Sequence, residues 1–311
     1  MTQATKSLQT PDGASILVID IGGTNVKFGY ACGGQPLAYR KLFSSDALRA
    51  GDPVQALARM VGNVIAETGI APQTIVAAVP GFIDRDGDRV LHAANIGSLD
   101  GRRLGTELAR LVGCTVLLER DAVLALLGET RAGIVGDAND VLGIFFGTGI
   151  GAAYVNDGKP FRGGGWALEI GLMPFCAQGP VPEGVRPDCL EAYASGRALQ
   201  AIAERNGVSI DGVFQASGFD SSLEKELSRF VGYQAMAVGA AIAMMSPSVI
   251  LLGGGIMDMA GYPREALTEL IGRFVPMAET GRTLDVRWSR HGWTAVLHGA
   301  SAIIAGGMAT L

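Results

Sequence analysis

Residues 15–31 read SILVIDIGGTNVKFGYA. An apolar run ends in the carboxylate of Asp20, turns at Gly22-Gly23 and returns as a second apolar run, Val26–Ala31. That is a buried strand, a tight turn and a returning strand. Gly33-Gly34 turns the chain again into Pro36–Leu42, which predicts a meander. The design recurs about 125 residues later in VLGIFFGTGIGAAYV, residues 141–155, with Gly147-Thr148-Gly149 between two apolar runs. Helices are expected after each hairpin. The repeat therefore predicts two α/β domains of similar design, with the glycine turns facing each other across a cleft.

Outward from these hairpins the punctuation is regular. Asp52 and Pro53 open a helix whose stripe is Val54, Leu57, Ala58, Val61, Val64 and Ile65, and Gly69 stops it. Thr74–Val79 reads as a strand ending at Pro80-Gly81, and 101–112 as a helix with Leu104, Leu108 and Leu111 inward. Thr115–Glu119 is a strand and Asp121 opens the next helix. Residues 158–187 are rich in glycine and proline and read as loop. Helices follow over 190–204, 221–245, 264–274 (with Leu267, Leu270, Ile271 and Phe274 inward) and 293–305. Strands are expected at Ser248–Leu252 and Leu284–Trp288.

Composition excludes several classes. In 311 residues, 48% are hydrophobic, which excludes disorder. Lys+Arg 25 against Asp+Glu 30 gives a net charge of -5 with no basic tract, which argues against a nucleic-acid partner. The four cysteines are scattered without a CxxC pair, as expected for a cytoplasmic protein rather than a disulfide scaffold. From Phe230 to Met257 no residue is charged, but Ser246-Pro247 and Gly253–Gly255 interrupt the run. It reads as buried helix, turn and strand, so no membrane partner is expected.

The chemistry is concentrated at the glycine turns. Backbone N–H groups in such turns cradle anions, and two turns suit a polyphosphate. Asp20 adds a carboxylate for a metal ion carried on that phosphate. Asp121, between a strand and a helix N-terminus, is the candidate base, with Arg120 beside it. Asn95, Glu169 and Glu191 are residue types that chelate sugar hydroxyls. His92, His291 and His298 are scattered and suggest no metal cluster. No Walker A loop, GxGxxG or GxSxG elbow occurs.

At these residues the chain resembles the ROK family of bacterial sugar kinases and repressors. Asp20-Ile-Gly-Gly-Thr24 and Gly147-Thr148-Gly149-Ile150-Gly151 are similar to its two phosphate loops, and Val79-Pro80-Gly81 to its Pro-Gly turn. Glu169-Ile-Gly171 and Cys189-Leu-Glu191, followed by Ser195-Gly196, are similar to its sugar-site region, and Leu252-Gly253-Gly254-Gly255 to its adenosine-side motif. The resemblance implies a two-domain actin-like, hexokinase-like (ribonuclease H-like) ATPase fold. Residues 1–120 with 293–311 would form one domain and 121–292 the other. It implies Asp121 as catalytic base and Asn95, Arg120, Glu169, Glu191 and Gly81 at the sugar. It places Asp20, Gly22, Gly23, Thr24, Gly147, Thr148, Gly149, Gly253, Gly254 and Gly255 at the nucleotide. ATP and Mg²⁺ are the implied cofactors and a homodimer the implied assembly. Within the family, Glu119-Arg120-Asp121 and 249–259 followed by 262–267 are most similar to D-allose kinases, so ATP-dependent phosphorylation of D-allose at its 6-hydroxyl is expected, with a kinase for glucose, fructose, mannose or N-acetylmannosamine, or a non-catalytic sugar sensor, as alternatives.

One departure from the family is sharp. Its zinc motif requires a histidine where Leu172 stands, and cysteines where Pro182 and Gly184 stand; Cys189 alone is retained, with Cys176 nearby. A structural zinc takes four ligands, typically Cys or His, so no zinc is expected.

Overall fold

The apolar run at Ser15 forms β1 (Ser15–Ile21), buried along its whole length. It pairs antiparallel with β2 (Asn25–Cys32), with Ile21 opposite Val26 across the glycine turn. The computed structural model describes residues 15–93, 96–177, 179, 181–183, 185–216 and 221–306. The expected third strand is divided into β3 (Gln35–Pro36) and β4 (Lys41–Ser44), both on the far edge of β2. Pro36 has no N–H to continue a ladder, and Tyr39 N–H bonds back to the Leu37 carbonyl at 2.8 Å, which bends the chain. A short helix, α1 (Asp46–Arg49), follows.

Helix α2 (Pro53–Thr68) starts and stops where its punctuation predicts. Asp52 Oδ1 accepts the N–H groups of Val54 and Gln55, and Gly69 caps the far end at φ 72. Strand β5 (Thr74–Val79) returns parallel to β1. A hairpin that the sequence does not announce, β6 (Gly81–Ile83) with β7 (Val90–Ala93), precedes α3 (Leu104–Val112) and β8 (Thr115–Arg120). Leu104 and Leu108 of α3 are buried, but Leu111 is exposed: the helix presents one narrow stripe and Leu111 falls off it. The sheet order is β3-β2-β1-β5-β8, with β4 beside β2. Helix α4 (Asp121–Arg131) leaves the end of β8.

The second sheet repeats this plan. β9 (Val141–Phe146) and β10 (Ile150–Asn156) form the hairpin, and β11 (Lys159–Pro160) extends it. The helix expected over 190–204 is two: α5 (Glu191–Ala194) and α6 (Gly196–Arg205). Ser195 breaks them with an extended backbone and caps α6 by accepting the Ala198 N–H. After α7 (Val213–Ala216), the long α8 (Ser221–Met245) leads to β12 (Val249–Gly253), parallel to β9. Then come α9 (Arg264–Phe274), α10 (Met277–Thr280) and β13 (Val286–Trp288). Leu267 and Ile271 of α9 are buried, whereas Phe274, in its last turn, is exposed. The order β11-β10-β9-β12-β13 matches the path β3-β2-β1-β5-β8 of the first sheet, which adds β4 beside β2. No helix among the described residues is long and apolar enough to cross a membrane.

The last helix, α11 (Thr294–Ala305), belongs to the first unit. It lies against α4 through two glycines. A Cβ on Gly128 would lie 1.8 Å from the Ala295 carbonyl oxygen, and one on Gly299 2.0 Å from that of Leu124. The chain thus divides into Met1–Ala132 with Arg162–Ala167 and Trp293–Leu311, and Gly133–Phe161 with Leu168–Gly292. The first unit does not end at residue 120. It keeps α4, because α11 packs on it, and gains Arg162–Ala167. Each unit has its own apolar core, the first on Leu17, Ile19 and Phe28, the second on Leu142, Phe146 and Phe230.

Candidate active site

In the first unit, three parallel strands end side by side. Asp20 of β1 is in register with Ala78 of β5, which is in register with Glu119 of β8; Val79 is in register with Arg120. Carboxyl ends of parallel strands are where α/β sheets bind ligands. Asp20 is buried there, and Lys27 Nζ donates to its Oδ2 at 2.7 Å. Asp121 opens α4 and is partly buried. Loss of solvation, and then the negative charge of Asp20, push its carboxyl up to about 6. The Ala122 N–H, Arg120 and Lys27 pull the other way. Gly81 follows Pro80 with φ 139, and a Cβ there would lie 2.3 Å from the His92 carbonyl oxygen, so only glycine fits.

The first glycine turn is anchored from α1. Ser45 Oγ donates to the Gly22 carbonyl at 2.6 Å, Ser45 N–H to the Thr24 carbonyl at 3.0 Å, and the Arg49 guanidinium to the Gly23 carbonyl.

Arg120 ends β8, next to Asp121. It is buried, and its guanidinium donates to the Ala167 carbonyl. Beside it, Oε2 of buried Glu119 accepts from both Nε and Nη2 of Arg162. These two contacts hold Arg162–Ala167 in the first unit. Phe82 packs on Trp166 of the same segment, ring centroids 5.9 Å apart, and Trp166 is exposed. Asn95 lies outside the described residues.

In the second unit, the Gly147–Gly149 turn is closed by Gly147 N–H donating to the Gly149 carbonyl at 2.9 Å. Its carbonyls meet the first turn of α6: Gly196 N–H donates to Gly147 at 2.8 Å and Arg197 N–H to Thr148 at 3.3 Å. Glu191 Oε2 accepts the Ile150 N–H at 3.0 Å. The third glycine run sits beside this turn. Gly254 has φ 96, and a Cβ there would lie 2.4 Å from the Phe146 carbonyl oxygen. Gly253 ends β12 and Gly255 follows in open space. Glu169 opens a short 3-10 turn, Ile170–Leu172, just after Leu168, whose φ of 65 is unusual for a residue with a Cβ. The structure therefore brings Gly147, Thr148, Gly149, Gly253, Gly254 and Glu191 together within the second unit. It brings Asp20, Gly22, Gly23, Thr24, Gly81, Arg120 and Asp121 to the strand ends of the first.

Sequence reasoning passed over Ser45, Arg49, Glu119, Arg162 and Leu168. The one usable signal is Glu119, a carboxylate that follows the apolar run Val116–Leu118 in the strand TVLLER.

The residues at the family's zinc positions do not suit zinc. Leu172 has no donor atom, Pro182 none in its side chain, and Gly184 lies outside the described residues. Cys189 is buried, with its thiol donating to the Arg186 carbonyl at 3.2 Å. Among the described residues, no group of three His, Cys, Asp or Glu could hold a metal. An apolar cluster occupies this segment instead: Phe175, Tyr193 and Tyr233 pack in edge and tilted contacts 5.3–6.0 Å apart, against Cys189 and Ala192.

The sequence pattern of the ROK family matches residues 16–306. The chain belongs to the ROK family. It is 25% identical to an N-acetyl-D-glucosamine kinase of Pectobacterium carotovorum over 91% of this chain and 97% of that one. Among solved structures it is similar to the ROK hexokinase of Thermus thermophilus, with TM-score 0.76, 26% identity and 94% and 99% of the two chains covered. It is equally similar to a putative N-acetylmannosamine kinase of Listeria monocytogenes, with TM-score 0.76, 26% identity and the same coverage. The fold is thus the actin-like, hexokinase-like α/β fold, and the enzyme is an ATP-dependent sugar kinase. None of these three relatives carries D-allose in its name. They favour a kinase of another sugar over the expected D-allose kinase.

Proposed function

We propose that this ROK kinase transfers the γ-phosphoryl group of ATP to the 6-hydroxyl of a gluco- or manno-configured hexose or its 2-acetamido derivative. The observation that carries this reading is Asp121: a carboxylate at the end of parallel strands, with its affinity for a proton raised to a value at which it is ionised at neutral pH yet basic enough to accept one. The sugar oxygen attacks the γ-phosphorus in line, its proton passes to Asp121, and the bond to the β-phosphate oxygen breaks to release ADP. Backbone N–H groups of Gly23, Thr24, Thr148 and Gly149 receive phosphate oxygens, and the run Gly253–Gly255 lies on the adenosine side.

Mg²⁺ carried on the nucleotide would spread the phosphate charge, and Asp20 would supply a hard oxygen donor to it, leaving Asp121 to accept the proton. Glu169, Glu191 and Asn95 bind ring hydroxyls. Arg120, turned toward Ala167, supports the site by fixing Arg162–Ala167. The names of the relatives favour an N-acetylhexosamine or a plain hexose as acceptor. The resemblance also implies a cytoplasmic homodimer, which sedimentation would register as twice the chain mass.

The test is a coupled ADP-release assay with Mg²⁺ across N-acetyl-D-glucosamine, N-acetyl-D-mannosamine, D-glucose, D-mannose, D-fructose and D-allose. A dominant kcat/KM on one of the first four supports the proposal. Dominance of D-allose replaces the sugar and keeps the reaction. Sugar binding without turnover on all six overturns the reaction in favour of a sensor.

A further inference from the structure

The anchoring of the first glycine turn has a directional consequence. In a trans peptide, C=O and N–H point in opposite directions within one plane. The Gly22 carbonyl shares its plane with the Gly23 N–H, and the Gly23 carbonyl with the Thr24 N–H. Ser45 Oγ holds the first of these carbonyls and the Arg49 guanidinium the second. Both N–H groups are therefore turned away from α1.

The anchor is itself fixed. Ser45 is fully buried, its N–H holds the Thr24 carbonyl, and Ser98 Oγ ties the Leu48 carbonyl of α1 at 2.8 Å. Asp46 Oδ1 accepts from Arg49 at 2.8 Å and steadies its guanidinium. A glycine turn free of such contacts would rotate its peptide planes readily, because glycine tolerates both signs of φ. A cradle whose donors must first be aligned loses affinity to that ordering cost.

We propose that Ser45 and Arg49 are positioning residues for the nucleotide: by holding the Gly22 and Gly23 carbonyls they aim the Gly23 and Thr24 N–H groups at ATP phosphate oxygens. This rests on the reading of Gly22–Thr24 as a phosphate loop. Neither residue touches the substrate. Their effect belongs to nucleotide affinity rather than to the sugar or the proton transfer.

The experiment is calorimetric titration of MgADP into the full chain and its variants, with thermal midpoints and sugar KM measured alongside. Ser45→Ala and Arg49→Met should each weaken MgADP binding about fivefold, the worth of one aligned hydrogen bond, with sugar KM unchanged. Arg49→Lys, which restores a donor to the Gly23 carbonyl, should return affinity to near wild type. MgADP affinity unchanged in both variants, with only the thermal midpoint lowered, overturns the proposal and leaves a structural cap. If the buried Ser45 variant fails to fold, Arg49, 39% exposed, carries the test.

Gly22→Val separates the proposal from the reading beneath it, since a Cβ there would lie 2.9 Å from the Asn25 carbonyl oxygen and push the turn. Lost binding in Gly22→Val with intact binding in the Ser45 and Arg49 variants overturns the positioning role alone. Intact binding in Gly22→Val, or no MgADP binding by the wild type, overturns both.

Discussion

The two glycine turns occupy equivalent places in two sheets of the same strand order, yet they are held by different means. The first turn is gripped largely by side chains, Ser45 and Arg49. The second is gripped by backbone, the N–H groups of Gly196 and Arg197 at the start of α6. A side-chain grip can be removed by mutation. A backbone grip can only be displaced, by adding bulk. The acid chemistry is unequal as well: Asp121, its carboxyl raised by lost solvation and then by the charge of Asp20, belongs to the first unit, and at the second turn Glu191 instead accepts a backbone N–H.

The largest effect expected from this asymmetry is at Asp121. Asp121→Asn should lower kcat by about 10²–10⁴-fold, the range of general-base catalysis, with MgADP and sugar affinities near wild type. Turnover within tenfold of wild type would remove the proton-accepting role from the first unit.

Gly196→Ala comes next. Its Cβ would lie 2.6 Å from the Gly147 carbonyl oxygen, a backbone atom that cannot swing aside. Overpacking of this kind costs about 1–3 kcal/mol, so MgADP affinity should fall at least as far as in the Ser45 and Arg49 variants. Unchanged affinity would mean that the second turn does not depend on α6.

Glu191 sharpens the contrast further. Glu191→Ala strands the Ile150 N–H, at a cost of about 1–3 kcal/mol, whereas Glu191→Gln keeps an acceptor oxygen. Calorimetric unfolding should show the alanine variant less stable and the glutamine variant close to wild type. Equal losses in both would assign the role to charge rather than to the hydrogen bond.

The pH dependence of stability tests the same carboxyl. The Asp121 carboxyl is raised to about 6 in the folded chain from 3.8. Its contribution to stability is complete below about pH 4 and is lost as pH rises through about 6. Asn does not titrate, so the stability of Asp121→Asn minus that of wild type should grow across this window by on the order of 3 kcal/mol. A difference that is flat from pH 4 to 8 would show that the carboxyl is not raised. In the wild type, kcat should rise as pH increases through the same window, since the base must be ionised.

The legible parts of the molecule were those in which one local signal decides one element. Asp52-Pro53 and Gly69 mark both ends of α2, and both hairpins announce themselves by apolar runs about a glycine turn. The illegible parts depend on distant partners. Nothing local separates Leu111 from Leu108; the width of the buried stripe does. Ser195 looks like one more helical residue until the extended backbone between α5 and α6 makes it a cap. Among site residues, Asp20 and Asp121 could be found because one lies next to the end of β1 and the other directly follows β8. Ser45, Arg49 and Arg162 could not, since their partners lie 23, 26 and 43 positions away in the chain. Arg120 shows the remaining difficulty: its position beside Asp121 was evident, but the direction of its side chain was set by the Ala167 carbonyl.

The glycine-to-backbone contact of α4 with α11 has a consequence for biosynthesis. The sheet of the first unit is complete by Arg120, yet α4 cannot bury its face until Thr294–Ala305 has been made. At about 5–20 residues per second, that helix leaves the ribosome roughly ten or more seconds later. The unit translated first is finished last, so the nascent chain exposes an apolar helix throughout translation of the second unit, and chaperone demand should fall in that interval.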